Sequence, residues 1–257
     1  MRSGKKSQSV LVLAAAGLGA LFLGFPLALR AFVLEAFKIP SASMEPALLI
    51  GDHIFVDKLP FHRATVTRGE VILFPFPENP EQDFVKRVIA LPGDTLLVKN
   101  GHPWINGWEV PHCVVGTGQL PPSEGLTPSG EVDVEYLDGT AYLVFFDVAS
   151  LGGLSETNGP YTARAGETWV LGDNRNASHD SRFWFGGRGG GVPLDSVIGR
   201  ALFRWLSVAD GVMDGSRFAT SVATPLLPKS MKSLETDLKR CLAQAPPIEG
   251  TRPPIPR

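Results

Sequence analysis

Cysteine is nearly absent from this chain: Cys113 and Cys241 are its only two thiols. A pair so sparse excludes a disulfide-framework domain, and without a CxxC pair there is no cysteine metal site. The simplest reading is two unrelated thiols; a single bridge in an oxidising compartment is the alternative. Histidine is scarce too. His53, His62, His102, His112 and His179 show no HExxH or similar ligand spacing, so no metal site is expected. An excess of one charge is also missing. Twenty-four Lys and Arg against 26 Asp and Glu leave a net charge of −2, which gives no general electrostatic case for nucleic-acid binding. No repeat of twenty to fifty residues recurs, so a solenoid is not indicated.

What the chain does have is glycine (28) and proline (22), which point to many turns and hence to β structure or loops. It is 44% hydrophobic and 19% charged, enough for a real core. One apolar run stands out. Residues 10–29, VLVLAAAGLGALFLGFPLAL, carry no charge, and as a helix they would rise about 30 Å, the thickness of the hydrocarbon core. Arg2, Lys5 and Lys6 precede the run, while Arg30, Glu35 and Lys38 follow it. That asymmetry predicts a cytoplasmic N-terminus and everything after residue 30 on the far side. The run is too long for a cleavable leader, and Leu29, Arg30 and Phe32 spoil a small-residue cleavage site. An uncleaved single anchor is expected.

Beyond the anchor, LEAFKIPSAS reads as a brief helical continuation that Pro40 ends. The rest reads as β. HIFVD (53–57), EVILFPF (70–76), DFVKRVIALPGDTLLVKNG (83–101), VDVEYLDGTAYLVFF (132–146), ETWVLGD (167–173) and SVIGRALFRWL (196–206) are strands or hairpins. They turn at Pro92-Gly93-Asp94, Asn100-Gly101, Asn106-Gly107 and Asp138-Gly139. Residues 116–130 and 150–160 read as loops. The tail from about 226 reads as a polar helix over Lys229–Ala243, then a disordered Pro-rich end. The expected organisation is a cytoplasmic segment 1–9, an anchor 10–30, a mainly β catalytic domain 31–225 and a tail 226–257. Its fold would be antiparallel sheets, partly barrel-like.

Three stretches carry candidate chemistry. IPSASMEP (39–46) places Ser41 and Ser43 just beyond the apolar run. A serine needs a base to become a nucleophile. Lysine serves only when a desolvated site keeps it neutral. In the strand at 83–90, alternation puts Phe84, Lys86 and Val88 on one face, an unusual place for a lysine; the plain alternative is an edge lysine reaching to water. LGDNRNASHDSRFW (171–184) is a polar block after a strand, in which Asp173–Arg175 and Asp180–Arg182 could simply pair.

Taken together, IPSASMEPALLIGDHIFVDK (39–58), DFVKRVIALPGD (83–94), LGDNRNASHDSR (171–182) and VIGRA (197–201) resemble the blocks of bacterial type I signal peptidases, the membrane-bound leader peptidases, in their order. The resemblance covers about a quarter of the chain directly. It implies that Ser43 is the nucleophile and Lys86 its general base, and that the Ser41 hydroxyl joins the Ser43 backbone N–H in the oxyanion hole. It implies that Ser178 hydrogen-bonds the lysine and that Asp180 and Arg182 form an ion pair behind the site, with Asp173, Asn174, Arg175 and Arg87 in support. The reaction would pass through an acyl-enzyme and need neither cofactor nor metal. Substrates would be exported preproteins with small residues at −3 and −1, met at the bilayer surface. Pocket walls are expected from apolar residues around Phe37–Ile39, Met44 and the strand bearing Phe84–Val88. A monomer in the bacterial inner membrane, in contact with lipid and not with nucleic acid, is the implied state.

Departures from the family pattern are a single span, the glycine-rich FGGRGGGVP (185–193) and His179, which receives no role. Two rival readings remain: a maturation peptidase of the same fold with a dedicated substrate, and a catalytically silent membrane-anchored binding domain. The four residues Ser41, Ser43, Lys86 and Ser178 argue against the second.

Overall fold

The structure, a computed structural model, describes residues 34–58, 66–123, 125–147, 157–209 and 212–255. The expected anchor over 10–30 and the cytoplasmic segment 1–9 lie outside the described residues. Among the described residues no helix is long and apolar enough to cross a membrane.

Short Val-, Ile- and Phe-rich runs broken by turns give sixteen strands among the described residues. In chain order they are β1 (Leu34–Lys38), β2 (Asp52–Asp57), β3 (Val71–Phe76), β4 (Asn79–Ala90), β5 (Thr95–Lys99), β6 (His102–Ile105), β7 (Trp108–Glu109) and β8 (His112–Gln119). They continue as β9 (Ser129–Leu137), β10 (Thr140–Asp147), β11 (Thr157–Thr162), β12 (Glu167–Leu171), β13 (Val192–Pro193), β14 (Gly199–Ala209), β15 (Val212–Met213) and β16 (Thr220–Ser221). The largest sheet runs β1-β2-β14-β3-β4-β12-β13, with β15 and β16 on β14. A second sheet runs β11-β5-β6-β7 and a third β10-β9-β8. Every ladder between these strands is antiparallel. The mainly β, antiparallel expectation holds.

Four differences from the sequence reading have physical causes. LEAFK is not helical: it forms β1, because its backbone pairs with β2 from Leu34↔Asp57 to Lys38↔His53. Residues 116–119, expected as loop, lie in β8, and 157–160 lie in β11, paired with β5. Glycines in β8 do not break it but leave space. A Cβ at Gly116 would stand 2.9 Å from Leu234 Cδ2, and one at Gly118 2.8 Å from Met231 Cγ.

That space receives the tail. A 3-10 turn (Lys229–Leu234) leads into helix α1 (Glu235–Ala243). Met231, Leu238 and Cys241 are buried with Val115, Val132, Val134 and Phe145 in a core shared with the third sheet. Cys113 and Cys241 are joined in a disulfide across this contact, with Cα atoms 5.7 Å apart, so they are not two unrelated thiols. Closing a loop of this size stabilises by about 2–5 kcal/mol. The Pro-rich end, expected to be disordered, packs as far as residue 255. Thr251 is buried; its carbonyl accepts from Asp138 N–H at 2.8 Å and its hydroxyl from Gly139 N–H at 2.8 Å. The Pro254 carbonyl accepts from Asn106 Nδ2 at 2.7 Å. A proline segment needs no apolar core to dock when its carbonyls find donors.

The other face of the third sheet turns inward. Tyr142, Val144 and Phe146 join Ile89, Leu96, Ile105 and Trp169 in the core that links the three sheets. A third core packs Ile39, Met44 and Leu48 against β2, β3 and β14.

Candidate active site

Ser43 sits in the segment 39–51 that joins β1 to β2, and the site is built by fixing that segment. Its two ends are tied together: Ile39 N–H donates to the Asp52 carbonyl and Gly51 N–H to the Ile39 carbonyl, at 2.8 and 2.9 Å. The middle is held from below. Arg204 and Arg217 both donate to the Ala47 carbonyl, at 2.5 and 2.9 Å, and Arg217 also pairs with buried Asp52. Ser43 lies in a 3-10 turn (Ala42–Met44) whose apolar anchor is buried Met44.

Lys86 reaches this turn from β4. Its pairing with Ile72, and the burial of Val88 below it, place the amine on an inward face. Lys86 is 4% exposed, and its Nζ stands 2.6 Å from Ser43 Oγ. Burial pushes the amine down from 10.5 to about 8, although Asp180 and Asp173 pull the other way. Phe84 supplies part of the apolar wall, its ring centroid 5.1 Å from Nζ. Ser41 Oγ lies 3.3 Å from Ser43 Oγ.

The 171–182 block forms the floor. Asn174 donates its backbone N–H to the Ser43 carbonyl at 3.1 Å and Nδ2 to the Ala42 carbonyl at 3.2 Å. Gly172 leaves no room for a side chain: a Cβ there would come within 2.2 Å of Ser178 Oγ and 2.4 Å of the Ser43 carbonyl oxygen. Asp180 binds Arg182 through two bonds at 2.8 Å and accepts from Gly172 N–H at 2.9 Å. Burial alone would raise the Asp180 carboxyl, but the Arg182 guanidinium outweighs it and holds the group below its usual range.

The further ion pairs differ from the local pairing that sequence suggests. Asp173 binds Arg87 of β4 through two bonds of 2.7 and 2.6 Å, not Arg175. Arg175 instead crosses to Glu135 of β9, at 2.6 and 2.5 Å, and donates to the Gly101 carbonyl. All four partners are buried.

Ser43, Lys86, Ser41 and Ser178 are therefore brought together, with one qualification of detail. The Ser178 hydroxyl is buried beside Gly172 and helps to hold the Asp180 carboxyl low, and the expected bond to Lys86 is not formed. A cleft of about 500 Å³ opens over Ser43. Ile39, Met44 and Phe84 line it as expected. Val88 does not: it is wholly buried with Phe74, Val170 and Trp184, one step deeper along the same strand face. Val85, in the expected strand, lines the cleft as well; missed by the sequence reading were Pro40, Gln82, Asp83, Ala177 and His179. His179 carries no motif signal; it stands edge-on to Phe76, 5.7 Å between centroids. One group of potential metal ligands converges among the described residues, His102, His112 and Asp133, and it shares no residue with this cleft.

Chemically, a buried amine in contact with a serine hydroxyl, beside a second hydroxyl and an open cleft, can deprotonate and stabilise an attacking alkoxide.

Comparison with known proteins agrees with this chemistry. The family model described as "Signal peptidase, peptidase S26" matches residues 10–206. Signal peptidase I of Pseudomonas aeruginosa is 33% identical over 205 residues, covering 73% of this chain and 70% of the relative. That of Leptolyngbya laminosa is 35% identical, covering 71% and 73%, and that of Aquifex aeolicus is 32% identical, covering 70% and 78%. Among solved structures, a signal peptidase I from Enterococcus faecalis is 27% identical over 53% of this chain and 96% of that one. Its TM-score of 0.29 is too low to carry an argument.

Proposed function

This chain belongs to the signal peptidase family, peptidase S26, and from that premise we propose how its residues carry out the reaction. The protein is a peptidase that removes signal peptides. Neutral Lys86 accepts the Ser43 hydroxyl proton while Ser43 Oγ attacks the scissile carbonyl. The oxyanion forms against the Ser41 hydroxyl and the Ser43 backbone N–H. Lys86, now an ammonium, gives its proton to the leaving amine, and the released chain is the mature protein. Lys86 then takes a proton from water, which attacks the acyl-enzyme, and returns it to Ser43 Oγ as the ester bond breaks and the signal peptide is freed. The single observation that carries this reading is the 2.6 Å approach of a buried lysine amine to Ser43 Oγ.

The cleft supports a preference for small side chains at −3 and −1. Its walls are bulky, Ile39, Met44 and Phe84, and they rest on packed cores, so a large side chain would overpack them. The Ser178 hydroxyl, buried beside Gly172, receives a bond from Lys86 once substrate fills the cleft. Asp180, Arg182, Asp173 and Arg87 hold the floor without touching substrate. The apolar run at 10–29 anchors the chain in the inner membrane with residues after 30 outside, as a monomer in contact with lipid, and Ser43 meets preproteins at the bilayer surface.

The test is cleavage of a purified preprotein with an AxA site by wild type, Ser43→Ala and Lys86→Ala in detergent. Cleavage after the second alanine by wild type alone is expected. Cutting by Ser43→Ala would sink the mechanism.

A further inference from the structure

The third sheet carries an anomaly. Its strand β9 reads Val-Asp-Val-Glu-Tyr over 132–136, and Asp133 and Glu135 share the inward face. Both carboxylates are fully buried. Glu135 is amply paired: Arg175 binds both its oxygens, and His102 Nδ1 lies 3.2 Å from Oε1. Asp133 has no hydrogen-bond donor on either oxygen. A buried carboxylate left that way is costly, so a cation should face it.

Two imidazoles stand there. His102, on β6, and His112, on β8, stack with centroids 4.0 Å apart. His102 Nε2 faces Asp133 Oδ2 at 3.7 Å, and in the neutral tautomer that donates Nδ1–H to Glu135 this nitrogen carries the lone pair. One ligand atom from each of His102, His112 and Asp133 lies within 4.8 Å of the others. Three potential ligand atoms, two imidazole nitrogens and a carboxylate oxygen, therefore converge on one point.

We propose that His102, His112 and Asp133 bind a divalent transition-metal cation of the zinc class. Two imidazoles and a carboxylate suit such an ion, whereas calcium and magnesium prefer oxygen ligands alone. Ligands 2.0–2.2 Å from a tetrahedral ion stand about 3.3 Å apart. The His102–Asp133 separation of 3.7 Å needs only a small inward shift, and exposed His112 has freedom to tilt its ring towards the ion. Glu135 supplies the carboxylate that metal-binding histidines usually carry on their other nitrogen. The ion would join β6 to β8 and β9, and through Glu135 it would brace Arg175 of the 171–182 block. The residues are distant in sequence, so no motif announces them.

The test uses the untagged full chain in detergent, stripped with a chelator. Zinc binding is read by competition with a chromophoric chelator, and thermal unfolding is followed with and without zinc, with magnesium as the control ion. Wild type should take up one equivalent of zinc and melt higher with it, but not with magnesium. Loss of an outer carboxylate partner typically costs 10–100-fold in affinity, so His112→Ala or Asp133→Asn, each losing a direct ligand, should cost about 100-fold or more and abolish the thermal shift. Metal-free Asp133→Asn should fold at least as stably as wild type, since an unpaired buried charge is gone. His112 is exposed, so its variant decides the matter should Asp133→Asn misfold. Equal zinc affinity in wild type and both variants, or no binding by wild type, would mean that the cluster holds only a proton and would overturn the proposal.

Discussion

Gly172 packs so closely on Ser43 that a Cβ on the glycine would lie 2.4 Å from the serine carbonyl oxygen and 2.2 Å from Ser178 Oγ. The glycine of the GDN block thus sets the height of the nucleophile. Gly172→Ala must push the Ser43 turn towards the cleft, and a misplacement of about 1 Å costs on the order of 10²-fold in rate. The expected outcome is a fall of that size in kcat for preprotein cleavage in a protein that still folds. Unchanged kcat would show that the turn is not held by this contact.

Ser41 tests the oxyanion assignment. Its hydroxyl is 3.3 Å from Ser43 Oγ, close enough to address the same carbonyl. Ser41→Ala should lower kcat by about 10²–10³ while leaving KM nearly unchanged, because the bond strengthens only as charge develops. Steady-state kinetics on one preprotein checks this. A rise in KM alone would make Ser41 a binding residue instead.

Lys86 should weaken the fold that it serves. Burial holds its folded-state value at about 8 against an ordinary 10.5. Below about pH 8 the ammonium must be buried in the folded state, at a cost on the order of 3 kcal/mol. Between about 8 and 10.5 the folded lysine is neutral while the unfolded one is still charged, so the cost shrinks as pH rises and vanishes above that window. Lys86→Met should therefore be inactive yet melt higher at pH 7, with its advantage over wild type fading by pH 10.5. Denaturation scans of both proteins across pH give the answer. A variant less stable than wild type at pH 7 would mean that the amine is well solvated.

Much of the site is legible in the sequence because its chemistry is local. Ser41 and Ser43 lie two residues apart in one segment, strand alternation puts Lys86 on the face of Phe84 and Val88, and the family resemblance supplies its role. What escapes is set by long-range packing. Asp173 and Arg175 look like a pair, yet they bind Arg87 and Glu135 from separate strands. The hairpin at 132–146 is legible, but that both its faces are covered, one by the tail and one by the core that links the sheets, is not. The tail's helix is legible over Lys229–Ala243, but its Pro-rich end looks too polar to pack, and nothing local announces that the tail docks. It docks because glycines in β8 make room for Met231 and Leu234, because Cys113 meets Cys241, and because Pro254 and Thr251 find donors. Val88 shows the limit of periodicity: alternation gives its face but not its depth.

The central claim is that cleavage depends on a neutral Lys86. The most direct measurement is kcat/KM for one preprotein from pH 5 to 10, since this parameter reports the free enzyme. Glu45, next to the nucleophile turn, has a carboxyl that burial pushes up to about 7, so Glu45→Gln is run beside wild type to remove its contribution. The account predicts a rise tenfold per pH unit that levels off near pH 8 in both proteins, as the amine loses its proton. A flat profile, or an inflection that disappears in Glu45→Gln, would contradict it.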